Sequence, residues 1–314
     1  MKFALQYLTD FTPTKTMHID IICDPFISTR DIYILARLNE TIKDVNLHIQ
    51  SYNFGTATQV LHSFFVYEVC DLYLEIVKPT MYNNEPDNQQ RKYCAQATLF
   101  TIIEQYLRLT HPLMPFVTEE LWQRLPNREF MTTVPSIMIA NYPEVISEYF
   151  NPKVESDMEL IKEMISSARS LRSDYRVPNH VKADFYFKTE SVDVKNAILK
   201  QTDDFCTLAK GNFLNHLGSD DEIPNGCCVK VLSDQCSLFV NVTGLIDIDI
   251  EINRMQKEEE RLILAIDQLK KKMASVGYDK VPEAVRETNK EKLAASENEM
   301  LQGAGMIEAF AAMK

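Results

Sequence analysis

Phe64-Phe65-Val66-Tyr67-Glu68-Val69-Cys70-Asp71-Leu72-Tyr73-Leu74-Glu75-Ile76-Val77-Lys78-Pro79 decides the fold class of this chain. With Val60 and Leu61 before it, the stretch from about Thr56 to Lys78 is apolar on almost every side. A helix of that kind sits at the centre of a bundle. Pro79, which has no backbone donor, is expected to stop it. Asn83-Asn84-Glu85-Pro86-Asp87-Asn88 then reads as a loop.

The flanks supply the other bundle helices. Upstream, Ser28 or Thr29 suits a helix N-cap, and Asp31 complements the positive end of the dipole. Ile32, Leu35, Leu38, Ile42, Val45 and Ile49 follow at three- and four-residue steps, one face of an amphipathic helix. Downstream, a third helix is expected from about Gln89 to Thr110, carrying Leu99, Ile102, Ile103 and Leu107. Pro112 and Pro115 prevent its straight continuation. Thr118-Glu119-Glu120-Leu121-Trp122 restarts as a helix with Thr118 as N-cap, and Pro126 ends it. Residues 1–150 thus read as a helix bundle.

Beyond it the pattern changes. Residues 131–152 are irregular, with β-prone Val134 and Ile137-Met138-Ile139, and helix resumes near Val154 to Asp174. Val181 to Phe187 alternates like a strand, and Asp193 to Leu208 reads as helix. Cys228 to Leu232 and Cys236 to Val242 read as two further strands joined by a short polar turn. Residues 151–248 therefore make a small α/β unit. In residues 249–314, Ile252, Met255, Glu259, Leu262, Ile266, Leu269, Met273 and Val276 form a heptad seam, apolar at all but Glu259. Gly277 to Pro282 turns the chain, and Leu293, Met300, Ile307 and Phe310 stripe a returning helix. The expected architecture is mainly α: a bundle, a small α/β unit and a C-terminal antiparallel helical hairpin, a coiled coil.

Composition excludes several classes. Hydrophobic residues make 45% and charged residues 25% of the 314, as in soluble globular proteins. No apolar run reaches the roughly 18 residues that span a bilayer, and the start lacks a signal-peptide pattern. The seven cysteines are odd in number, scattered, and without a C-x-x-C pair, so neither a disulfide framework nor a structural metal site is expected. A reducing, cytoplasmic setting fits them. The eight glycines build no phosphate-cradling loop. A net charge of −12 does not favour nucleic acid, but phosphate contact depends on local cations rather than the average.

Three passages carry a resemblance to a known family. Tyr67 to Glu75 with Lys78-Pro79, and His111-Pro112-Leu113-Met114-Pro115-Phe116-Val117-Thr118-Glu119-Glu120-Leu121-Trp122-Gln123-Arg124-Leu125, resemble the anticodon-binding helical domain of class I aminoacyl-tRNA synthetases of the valine, isoleucine and leucine group. Glu251 to Lys272, Gly277-Tyr278, Lys280-Val281-Pro282 and Lys290-Glu291-Lys292-Leu293 are similar to the C-terminal coiled-coil arm of valyl-tRNA synthetases. Ala168-Arg169-Ser170-Leu171-Arg172-Ser173-Asp174-Tyr175 resembles the R-x-x-R-x-[DE] helix end of the same enzymes. The likeness runs from Phe3 onward.

That resemblance implies a tRNA-binding module, covering the anticodon end and the outer corner of the tRNA. The whole enzyme joins valine to tRNA with ATP, through an H-I-G-H motif and a K-M-S-K-S loop. Neither occurs here, so no catalytic residue and no cofactor is expected on this chain. Asp71 and Glu75 read as solvated or lysine-paired. The expected partner is valine tRNA, with other synthetases or a catalytic domain in trans as further candidates, and no metal or membrane. The alternative is a catalytically dead paralogue that binds proteins.

The RNA-contact candidates are cations and aromatics. Arg169, Arg172 and Arg176 fall at steps of three and four, a helical row whose guanidinium forks suit phosphates, or else a salt-bridged face with Glu163 and Asp174. On the arm, Arg254, Arg261, Lys270, Lys271 and Lys272 form a basic stretch diluted by Glu258-Glu259-Glu260. Arg30, Arg37 and Lys43 lie off the apolar stripe of the first amphipathic helix. Tyr52 and Phe54, in the loop between two helices, suit stacking on splayed bases, with packing against the bundle as the competing reading.

Overall fold

The computed structural model describes residues 2–14, 16–130, 133–218, 221–224, 226–233, 236–245 and 248–273, with Arg286, Asn289 and Leu293. The chain divides into two compact units: residues 1–167 with 189–214, and residues 168–188 with 215–314. The stretch 189–214, which its pattern assigns to the small α/β unit, belongs to the first unit.

The first unit opens with α1 (Lys2–Tyr7) and the short α2 (Met17–Asp20). Helix α3 (Thr29–Gln50) starts at a capping box in which Ser28 and Asp31 satisfy each other's backbone N–H. Leu35, Leu38, Ile42 and Val45 of the expected stripe are buried, joined by Tyr33 and Ile34, so the core face is wider than the stripe. After Asn53, whose side chain caps the next helix, α4 (Phe54–Ser63) runs into a π-helical segment (Phe64–Tyr73) and then α5 (Leu74–Tyr82) without a break.

Pro79 does not stop this helix. It lies inside α5, whose last residue is Tyr82. Pro79 is exposed, so water can serve the carbonyl it leaves without a donor. Arg30 braces the same turn from α3, donating to the Ile76 carbonyl at 3.3 Å and the Thr80 hydroxyl at 2.5 Å.

Helix α6 (Gln89–Thr110) fills the middle of the unit, burying Ala95, Leu99, Phe100 and Ile102. Helix α7 (Pro115–Gln123) starts earlier than expected: Met114, not Thr118, holds the cap position. Pro115 is preset for a first helical position, and the Thr118 hydroxyl donates back to the Met114 carbonyl at 2.8 Å. Trp122 is fully buried, its indole N–H on Glu104 at 3.3 Å. The segment 137–139, β-prone by composition, is a 3-10 turn. Helix α8 (Pro152–Asp174) begins in the first unit and ends in the second.

The expected helix from Asp193 to Leu208 is two helices, α9 (Val192–Leu199) and α10 (Thr202–Ala209). Lys210 ends α10 in the left-handed conformation, a C-terminal stop usually given to glycine.

The sheet holds four strands in the order β2-β1-β4-β3: β1 (Ala183–Thr189), β2 (Gly211–Leu217), β3 (Cys227–Ser233) and β4 (Cys236–Asn241). β3 and β4 pair antiparallel, with Val229 opposite Phe239. Ala183, Phe185, Phe187, Leu238 and Val240 are buried. Strand β2 has no counterpart among the expected strands.

Helix α11 (Ile248–Met273) is the first limb of the expected hairpin. Ile266 of its seam is buried, and Leu262, Leu269 and Met273 are half-buried. The side chains of Ile252, Met255 and Glu259, the turn and nearly all of the returning limb lie outside the described residues.

Candidate nucleic-acid interface

Local physics sorts the candidate cations into buried and exposed. Arg30 follows the α3 cap, and its guanidinium meets the Asp204 carboxylate of α10, both side chains buried. Burial works against its charge, but the carboxylates of Asp204 and Asp31 outweigh that and raise its pKa. Asp31 itself is pushed up by burial, against the pull of Arg30, and accepts the Tyr73 hydroxyl at 2.8 Å. Arg30 is thus an internal cation, and the expected phosphate contact is corrected for it. Spacing gives no sign of this, because Asp204 is 174 residues away.

Arg172 is corrected in the same way. It is buried, and its guanidinium donates to the carbonyls of Pro178 at 3.0 Å and Val181 at 2.7 Å, pinning the turn after α8. Burial lowers its pKa. Nor do Arg169, Arg172 and Arg176 form one helical row. α8 ends at Asp174, and Arg176 sits beyond it with a left-handed φ of 51°. Arg169 and Arg176 are exposed.

Arg37 is half-buried and ion-paired with Glu40 one turn on, while Lys43 is exposed on α3. Lys162 is held by Glu68 of the π segment at 2.9 Å and by the Tyr33 hydroxyl at 3.1 Å. Burial, followed by the Glu68 carboxylate, raises the Tyr33 pKa.

The two candidate aromatics are displayed rather than packed. Tyr52 is 83% exposed and Phe54 49% exposed. Their rings stand edge to face, 6.4 Å between centroids. Tyr52 also carries a φ of 55°, a strained conformation for a bulky side chain. The strain has a local cause: the chain must reverse between α3 and α4 within three residues, and the Tyr52 N–H is held by the Ile49 carbonyl at 3.0 Å.

On α11, Arg261, Lys270, Lys271 and Lys272 are exposed, as is Lys257, and Lys271 pairs with Asp267 at 2.6 Å. The Arg254 side chain lies outside the described ones. Phe116, absent from the sequence candidates, is 91% exposed; the P-x-x-P-F run is its only signal. Among the described residues no cluster of three potential metal ligands occurs, and no helix is long and apolar enough to cross a membrane.

The family described as the anticodon-binding domain of tRNA ligase matches residues 31–187, and the valyl tRNA synthetase tRNA binding arm matches residues 247–302. The chain is similar to a valine–tRNA ligase of Takifugu rubripes, 33% identical over 305 residues, which cover 96% of this chain and 25% of the relative. It is also similar to valine–tRNA ligases of Caenorhabditis elegans (32% identical, 96% of this chain, 29% of the relative) and Oceanobacillus iheyensis (31%, 93% and 31%). The chain thus spans between a quarter and a third of the length of these relatives.

Proposed function

On the premise that this chain belongs to the anticodon-binding family of tRNA ligases, in its valyl-tRNA synthetase branch, we propose that it holds valine tRNA at two surfaces while making no bond itself. At the bundle, Tyr52 and Phe54 stack on unpaired nucleotides and Lys43 meets a neighbouring phosphate. Base-aromatic stacking is worth about 1–3 kcal/mol per base and tolerates any sequence. On the arm, Arg254, Arg261, Lys270, Lys271 and Lys272 follow the backbone of paired RNA, where shape and phosphates are what a protein can read. Arg169 and Arg176 add two further phosphate contacts, and Arg37 and Lys271 are marginal ones because Glu40 and Asp267 already pair with them.

A single observation carries this reading: an outward-facing aromatic pair at a helix junction, with Tyr52 held in a left-handed conformation. A fold that buried Tyr52 would gain apolar burial, so its exposure favours a planar ligand. Ligation of valine, with ATP, belongs on this proposal to another catalytic unit, since the H-I-G-H and K-M-S-K-S motifs do not occur in the sequence.

Filter binding of the chain to valine tRNA across a salt series tests the proposal. Affinity should fall steeply with salt, because each phosphate contact releases counterions. Absence of salt-sensitive tRNA binding would overturn it in favour of a protein-binding paralogue.

A further inference from the structure

Between the exposed rings of Tyr52 and Phe54 lies Asn53, itself exposed. Most of its polar groups are engaged by the fold. Its backbone N–H donates to the His48 carbonyl at 2.8 Å, and its own carbonyl accepts the Ala57 N–H at 3.1 Å. Its side-chain Oδ1 accepts the Thr56 N–H at 3.4 Å and caps α4. That contact fixes which way round the amide sits, because the flipped group would set Nδ2 against the Thr56 N–H, donor against donor. Of Asn53's polar groups, only the two N–H bonds of Nδ2 remain for a ligand. The neighbouring Ser51 hydroxyl is already held by the Leu47 carbonyl at 2.9 Å.

The rings on either side stand at 76° to each other. Two bases lying on them cannot be parallel, so the RNA is splayed and its backbone bends between the two nucleotides. The residue between the rings meets that bend. Approach beside Phe54 is open, since a side chain placed on Gly55 would meet nothing within 4 Å. A donor-only group matches phosphate oxygens, which only accept. It has no means of telling bases apart, because every base offers an acceptor on one of its edges.

We propose that Asn53 is the phosphate-holding residue of this junction: Nδ2 donates to the phosphate that links two unpaired nucleotides, one lying on Tyr52 and the next on Phe54. The ligand class is a single-stranded phosphodiester of any sequence. This rests on the stacking proposed above for Tyr52 and Phe54, and adds to it what the junction does with sequence. It grips unpaired RNA without reading it, and discrimination among tRNAs falls to other residues. Asn53 is neutral, so its contact releases no counterion, unlike a contact made by Lys43.

Fluorescence anisotropy of the full chain with oligoadenylate, oligocytidylate and oligouridylate of equal length tests this. Asn53→Ser keeps an N-cap oxygen but removes both donors, so the thermal melt should hold. It should weaken binding to all three by about 10-fold, the worth of one hydrogen bond to a charged group. The salt dependence should be unchanged. Losses that differ between the three by about 5-fold or more, the least that a base contact gives, would make Asn53 a base reader and overturn the proposal. So would an undiminished affinity in Asn53→Ser while Tyr52→Gly still weakens binding. No loss in either variant would remove the stacking itself, and this proposal with it.

Discussion

Arg30 and Asp204, 174 positions apart, form a buried ion pair that ties α10 to α3 and α5 within the first unit. The same guanidinium also reaches Ile76 and Thr80, so one side chain joins three helices. A segment that follows a β-strand in sequence is thereby built into the helix bundle.

Removing one partner of this pair should be worse than removing both. Arg30→Met or Asp204→Asn strands a buried charge or polar group and is expected to cost about 3–5 kcal/mol, with the double variant losing less. Urea titrations of the three variants measure it. Additive losses would mean that the two groups do not interact.

Tyr52→Gly should have opposite effects on fold and function. Glycine relieves the left-handed strain, stabilising the chain by about 1 kcal/mol. Loss of the ring should weaken tRNA binding roughly 10-fold, the lower end of one stacked base. Paired melting and binding measurements read both signs, and Phe54→Ala should reproduce only the second.

Arg172→Met should destabilise the chain by about 1–3 kcal/mol, since the Pro178 and Val181 carbonyls lose their donor, and leave the salt dependence of tRNA binding unchanged. Arg169→Ala, or neutralising Lys270, Lys271 and Lys272 to Gln, should instead flatten that dependence, by about one unit of slope for each phosphate left without its cation. A flatter slope from Arg172→Met alone would contradict its internal role.

Acid should loosen the turn at 136–139 before the bundle. Burial is the largest single influence and raises the Glu119 pKa, but hydrogen bonds from Gln123, Ser136 and Ile137 together overcome it and hold the carboxyl below its ordinary 4.5. A carboxylate with a lowered folded pKa contributes stability that is complete above the unfolded value. That contribution therefore begins to fade near pH 4.5 and is gone once the pH has fallen through the folded value. The protection factor of the Ile137 amide proton, its exchange rate relative to the unfolded chain at the same pH, should fall over that window, and in Glu119→Gln the fall should be absent.

The parts legible in the sequence are those set by local periodicity. Gln89 to Thr110 is bounded correctly because loop and proline signals flank a long periodic run, and the cap of α3 is narrowed to Ser28 or Thr29, of which the structure uses Ser28. Strand β2 escapes the pattern because Asn212, Asn215 and His216 interrupt its alternation. The persistence of α5 through Pro79 is equally hidden, because it is braced by Arg30, 46 residues upstream of the Ile76 carbonyl it bonds. Charge spacing ranks Arg30 and Arg172 with Lys43 and Arg169. Arg30 is turned inward by Asp204, which no window of sequence contains, and Arg172 by two backbone carbonyls, Pro178 and Val181, which carry no sequence signal however near they lie.

The π-helical stretch from Phe64 to Tyr73 has a consequence for insertions and deletions. Its i→i+5 bonding delays the rotation of the chain relative to an α-helix. Glu68 thereby faces Tyr33 and Lys162, while Tyr73, Ile76 and Val77 still point into the core. Excising one residue here would restore ordinary winding, and the tighter turns would make up the rotation lost with the residue, so Tyr73 and the later side chains of α5 would keep their faces. A one-residue deletion is therefore better tolerated inside this stretch than in the α-helical parts of the same helix.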